Sequence, residues 1–238
     1  MTAQFDKYQA MGAYHWRECD RGSREFNPPL VARFEMIARR VTGGSVLDVG
    51  AGDGYLSGLV APKCEKLAAL EHDEAGVSIA RQMLLAFGNV RVCRGSAYAL
   101  PFAENQFDVV MMADVIEHLE HPEGAVLEMA RVLKPEGTTY VSTPRKVPDR
   151  VWDHRHVKEY RPEELEELLG KAFAEVRLVF AWPKMWMDLY RTRLGWRLLK
   201  AAGRLGFNPF AREFDRPDTA YQMLAICRQP RTRKAGAD

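Results

Sequence analysis

The chain has 238 residues and 27.1 kDa, with 34 basic and 32 acidic side chains, 47% apolar residues and 28% charged ones. That composition excludes a disordered polymer, and no apolar run approaches the roughly 18 residues needed to cross a bilayer. The start Met1-Thr-Ala-Gln-Phe-Asp-Lys7 lacks a secretory pattern, and Cys19, Cys64, Cys93 and Cys227 have no paired spacing, so a soluble, cytoplasmic chain with reduced thiols is expected.

Residues 1–41 read as an N-terminal helical cap segment whose last helix covers Pro28–Val41, and residues 42–238 read as one α/β domain. From Thr42 to Phe180, β-rich runs alternate with helical patterns, the mark of βαβ units and a parallel sheet. Strands are predicted at Ser45–Val49, Lys66–Glu71, Asn89–Cys93, Phe107–Met112, Thr138–Ser142 and Glu175–Ala181, with a seventh at Tyr221–Cys227. Between them, Ala75–Phe87 has helical apolar spacing with Gly88 as its stop, and Pro122–Leu133 ends at the turn Lys134-Pro-Glu-Gly137. A further helix opens at Arg161-Pro-Glu-Glu164, with acids suited to its first turn.

Residues 182–220 break the alternation, being longer than an ordinary connection and rich in aromatic residues. One helix face there carries Leu194, Leu198, Ala201 and Leu205, and another carries Arg193, Arg197, Lys200 and Arg204. The net charge is −5 through Phe180 and +7 beyond it, so the near-neutral total joins an acidic body to a basic appendage. The tail Arg228–Asp238 reads as frayed.

The most informative run is Val46-Leu-Asp-Val-Gly-Ala-Gly-Asp-Gly-Tyr55, in which Gly50, Gly52 and Gly54 let the chain turn tightly and let a ligand approach the main chain. A strict dinucleotide fingerprint fails at Tyr55, and Glu71, about 20 residues on, suits ribose hydroxyls. Together with Gly95-Ser-Ala-Tyr-Ala-Leu-Pro-Phe102, Phe107-Asp-Val-Val110, Asp114-Val-Ile-Glu-His118 and Leu133-Lys-Pro-Glu-Gly137, this run resembles the class I S-adenosylmethionine-dependent methyltransferases. Within them it is most similar to the branch of ubiquinone and menaquinone methylases. The resemblance spans about Thr42 to Phe180 and implies a Rossmann-like seven-stranded sheet of order 3-2-1-4-5-7-6, strand 7 antiparallel, with helices on both faces and a helical insertion before the last strand.

The resemblance further implies S-adenosylmethionine as cofactor and S-adenosylhomocysteine as product. Asp48, Gly50, Ala51, Gly52 and Gly54 would form the loop against the methionine and sugar portion, and Glu71 would hold the ribose with His72 beside the adenine. Ser96 and Ala97 would border the ring, Ser96 standing where many relatives carry an acid, and Asp114 would lie near the transferred methyl. If the acceptor is a hydroxyl, a base of near-neutral pKa helps; His118, His154 and His156 are the candidates, and buttressing of the helix at Pro122 is the plain alternative for His118. Asp114, Glu117, His118 and His156 also resemble the metal set of small-RNA 3′-terminal 2′-O-methyltransferases, with Asp114 in place of a glutamate. The same short motif resembles that of metal-free methylases, and no metal is expected.

The function expected is O-methylation of a small molecule, such as a natural product, a sugar or a quinone or lipid-like acceptor, ahead of a nitrogen or carbon acceptor or an RNA ribose. The N-terminal Tyr8, Tyr14, His15, Trp16 and Arg17 and the insertion 182–220 are expected to cover the acceptor. The modest overall charge argues against nucleic acid. The basic aromatic stretch 182–214 leaves a solvated face, an anionic ligand and a peripheral membrane contact open.

Overall fold

The computed structural model describes residues 7–148 and 151–231; the predicted signal-free start and most of the tail lie outside the described residues. In chain order the helices are α1 (Lys7–Met11), α2 (Tyr14–Cys19), α3 (Pro28–Ala38), α4 (Tyr55–Val60), α5 (Glu74–Met83), α6 (Pro122–Val132), α7 (Pro162–Gly170), α8 (Lys184–Tyr190) and α9 (Arg193–Arg204). The strands are β1 (Ser45–Val49), β2 (Lys66–Glu71), β3 (Val90–Arg94), β4 (Phe107–Ala113), β5 (Leu133–Pro144), β6 (Phe173–Pro183) and β7 (Ala220–Pro230).

They form one seven-stranded sheet of order β3-β2-β1-β4-β5-β7-β6, as expected. β1 pairs in parallel with β2 and β4, while β7 runs antiparallel between β5 and β6. Side chains alternate across the sheet: Val46 joins the core beneath α3, α4 and α5, and Leu47 and Val49 join the core beneath α6 and α7. Chain order reverses between β1 and β4, which opens a crevice beyond their carboxyl ends.

Several boundaries depart from expectation. α5 ends at Met83 rather than at Gly88, and the chain turns so that Leu84 packs where a side chain on Gly54 would lie. Lys134–Gly137 belongs to β5, as a bulge that shifts the β4–β5 register between Phe107 and Val109, rather than forming a separate turn. Arg228, Gln229 and Pro230 are strand, not frayed tail, because each lies in or beside the antiparallel ladder with β6.

Candidate active site

Two loops reach the crevice from adjacent strands. After β1, Gly50 sits at φ +75° and donates its N–H to the Leu70 carbonyl at 2.8 Å. A side chain here would be strained, and its Cβ would come within 2.5 Å of Val115. Gly52, at φ +59°, lies beneath Tyr8, whose hydroxyl stands 1.9 Å from where a Cβ would be. Gly54 forms the left-handed entry to α4 and faces Leu84 of the α5 side. Gly50 and Ala51 thus line the cavity, while Gly52 and Gly54 provide close packing.

Asp48, at the end of β1, is buried and accepts a hydrogen bond from Ser57 Oγ at 2.7 Å. Burial pushes its carboxyl up to about 7, eased by that hydroxyl and reinforced by Glu71. Glu71 ends β2 with Oε2 accepting from Gly52 N–H at 2.8 Å and Oε1 accepting from the His72 and Asp73 N–H groups at 2.7 and 2.8 Å. Burial raises its pKa against those main-chain donors. His72 is exposed at the cavity mouth, and Ser96 and Ala97 line the wall, with Ser96 Oγ accepting from Tyr98 N–H at 3.2 Å.

After β4 the chain holds Asp114 at φ +51°, a left-handed conformation that costs a non-glycine residue about 1–3 kcal/mol. It is held by Arg33 NH1 at 2.8 Å, by Ser142 Oγ at 2.6 Å and by Gln222 Nε2 at 2.8 Å. Glu117 is buried and accepts from Thr143 Oγ1 at 2.9 Å, while its Oε1 has no hydrogen-bond partner among the described residues. Burial and the neighbouring Asp114 push its carboxyl well above the usual range.

His118 lines the cavity, and its Nδ1 lies 3.1 Å from the Arg155 carbonyl. A carbonyl only accepts, so Nδ1 carries the hydrogen and Nε2 is the basic nitrogen of the neutral ring. Burial lowers its pKa, opposed by that carbonyl, so the ring is neutral at physiological pH. His156 stacks edge-on to it with centroids 4.9 Å apart and is oriented by Glu159 Oε1, 2.9 Å from Nδ1. Neither His154 nor His156 lines the cavity: His154 is exposed and away from the site, and His156 reaches it only through His118. Glu117, His118 and His156 each place one ligand atom within 4.8 Å of the others; Asp114 is not of this group and is paired with Arg33.

Between the two loops lies a cavity of about 740 Å³. Its cover comes from α1 and α2 through Tyr8, Tyr14 and His15; no residue of 182–220 lines it, so the insertion does not cover this site. The insertion packs instead on both ends of α3, with Trp182 Nε1 donating to the Pro29 carbonyl at 2.9 Å and Glu213 paired with Arg40. Two site residues were missed by sequence reasoning. Asp53 accepts from His15 N–H at 2.9 Å and lies 3.0 Å from its Nδ1, and Arg33 runs from α3 to Asp114 with NH2 3.3 Å from His15 Nε2. These contacts span 18 to 81 residues and carry no spacing signal; only the Asp in the glycine run hinted at one of them.

A seven-stranded sheet of this order with a glycine loop, a carboxylate ending β2 and an acidic loop after β4 defines the class I methyltransferase fold. Residues 47–141 match the family described as methyltransferase domain. The chain is 34% identical over 148 residues to the "Probable S-adenosylmethionine-dependent methyltransferase" of Mycolicibacterium smegmatis, covering 60% of this chain and 56% of that protein. A ubiquinone biosynthesis O-methyltransferase of Pseudomonas fluorescens is 34% identical over 157 residues, covering 61% and 64%. The chain therefore spans little more than half the length of the first of these relatives.

Among solved structures, the fold is shared with the Haemonchus contortus phosphoethanolamine N-methyltransferase 2 in complex with S-adenosylhomocysteine, at TM-score 0.67 and 16% identity over 95% of this chain and 59% of that one. It is shared as well with the [4+2]-cyclase SpnF, at TM-score 0.59 and 20% identity over 84% and 80%. One fold thus carries different chemistries, and the site must decide.

The residues present fit the cofactor. Gly50 lines the cavity with main chain and packs too close to Val115 for a side chain, Glu71 offers lone pairs beyond its three main-chain donors, and the half-buried Arg33 keeps an Nε with no partner among the described residues. Glu71 would take the ribose, Ser96 and Ala97 the adenine side, and Gly50, Ala51 and Arg33 the amino acid end.

Proposed function

We propose that the chain methylates an oxygen of a small-molecule acceptor, of natural-product, sugar or quinone and lipid-like class, using S-adenosylmethionine. When bound, the cofactor supplies an electrophilic methyl on a sulfonium that leaves readily. The chain's own task is to hold an acceptor oxygen in line at near-attack distance, which is worth about 7–11 kcal/mol of barrier.

The observation that carries the reading is one cavity lined together by Gly50, Glu71, Asp114 and His118. His118, neutral and with Nε2 basic, accepts the hydroxyl proton. The two ubiquinone-type resemblances, of motif and of relative, support an oxygen acceptor. Methyl-labelled cofactor incubated with fractionated extracts, with labelled product read by mass spectrometry, tests it. His118→Ala should lower kcat by about 10²–10⁴-fold while leaving S-adenosylhomocysteine affinity within about twofold.

A metal-assisted transfer, of the kind found in RNA 2′-O-methylases, is the second reading. It is favoured by the clustered Glu117, His118 and His156 with the unpartnered Glu117 Oε1. Two imidazoles and one carboxylate suit zinc or manganese, and Glu159 behind His156 is the outer partner such ligands use. Turnover that survives exhaustive chelation dismisses this reading and leaves the metal-free one standing.

A further inference from the structure

Helix α9 presents its apolar face outward. Leu194, Leu198 and Leu205 are 68%, 57% and 89% exposed, and Met185 and Phe207 at either end of the segment are 66% and 62% exposed. The opposite face is clamped to the body through small residues. A Cβ on Gly203 would lie 3.0 Å from Phe26 and Pro28 of the body, and one on Gly195 would lie 2.0 Å from the Leu189 carbonyl oxygen of α8. Lys200 Nζ donates to the Arg24 carbonyl at 2.6 Å, and Arg204 donates to the carbonyls of Arg21 and Ser23 at 3.1 and 2.9 Å. Rolling the helix to bury the leucines would drive side chains into the space these glycines leave and break the lysine and arginine anchors. The leucine stripe is therefore held toward solvent, although such exposure is unfavourable in water.

The chemistry around the stripe selects its occupant. Residues 184–207 hold six basic side chains and one acid, Asp188. Arg193 and Arg197 are exposed and lie about a quarter turn from the leucines on the helix surface. A second copy docking face to face would bring two surfaces of the same basic character together, with Asp188 as the one acid in 184–207 to offset them. A bilayer with anionic headgroups satisfies both parts at once: leucines enter the acyl boundary and arginines meet phosphates.

We propose that α8 and α9 dock the chain on an anionic lipid surface, with Leu194, Leu198 and Leu205 inserted and Arg193 and Arg197 at the headgroups. No residue of this surface lines the cavity, so docking stands or falls separately from the transfer chemistry.

The test is co-sedimentation of the full chain with vesicles of phosphatidylcholine alone or mixed with phosphatidylglycerol. Wild type should sediment with the mixed vesicles and stay in solution with phosphatidylcholine. The double change Leu194→Glu with Leu198→Glu should abolish sedimentation, and Arg193→Gln and Arg197→Gln should each weaken it about fivefold. S-adenosylhomocysteine affinity and the far-ultraviolet spectrum, unchanged in every variant, certify folding. Wild type left in solution with both vesicle types overturns the proposal, as does sedimentation indifferent to the leucine changes. A dimer by light scattering that Leu194→Glu splits, without vesicle binding, overturns it in favour of a second copy.

Discussion

At the glycine-loop end of the cavity the polar groups are met by main chain, whereas at the Asp114 end they are met by buried side chains. Glu71 rests on three backbone N–H groups, and the Gly50 and Ala51 N–H groups both reach the Leu70 carbonyl. In the loop after β4, Asp114 sits in a left-handed conformation under Arg33, Ser142 and Gln222, and Arg33 Nε, Glu117 Oε1 and Gln222 Oε1 have no partner among the described residues. Backbone geometry sets the first end and survives many side-chain changes. The second end stores desolvation and strain, and a single truncation there disturbs the rest.

That contrast can be broken most forcefully at Arg33. Arg33→Ala leaves Asp114 buried without its cation and should lower unfolding free energy by about 3–5 kcal/mol in urea titrations. Combining Arg33→Met with Asp114→Asn should recover most of that loss; no recovery would mean that packing, not charge, sets this end. At the other end, Gly50→Val forces a β-branched residue to φ +75° against Val115 and should weaken S-adenosylhomocysteine binding by about ten- to hundredfold by calorimetry.

A smaller effect separates burial from charge at Asp48. Its folded pKa of about 7 lies above the ordinary 3.8, so the folded chain retains a proton that the unfolded chain releases. The stability this contributes is full below the ordinary value and is lost as pH rises through about 7. Asp48→Asn stays neutral throughout, so its melting temperature should fall several degrees less than wild type between about pH 4 and pH 8. The smallest change belongs to neither end: Leu194→Gln on the exposed face of α9 should alter unfolding free energy by no more than about 0.5 kcal/mol.

The glycine-loop end was legible because main-chain demands leave marks in sequence. Gly50, the carboxylate of Glu71 about 20 residues on and the strand alternation around them point to a parallel sheet and its ligand loop, and the resemblance to the class I methyltransferases implies the sheet order that the structure has. The Asp114 end was half legible. Its acids and His118 stand in one short run, but Arg33, Gln222 and Thr143 reach them through tertiary contacts that no local spacing encodes. His154, expected beside His156, is exposed, since adjacent turn residues point in different directions. The insertion was legible as an amphipathic helix but not in its orientation. Periodicity shows that leucines share a face, while Gly203 against Phe26 and Pro28 and Lys200 on the Arg24 carbonyl decide which side meets the body.

Calorimetric titration with S-adenosylhomocysteine tests the central claim that the cavity between Gly50 and Asp114 is a methyltransferase cofactor site. Wild type should bind one molecule per chain, Glu71→Ala should lose most of that affinity, and NAD should give no heat. No uptake of S-adenosylhomocysteine, or uptake unchanged in both Glu71→Ala and Gly50→Val, would contradict it.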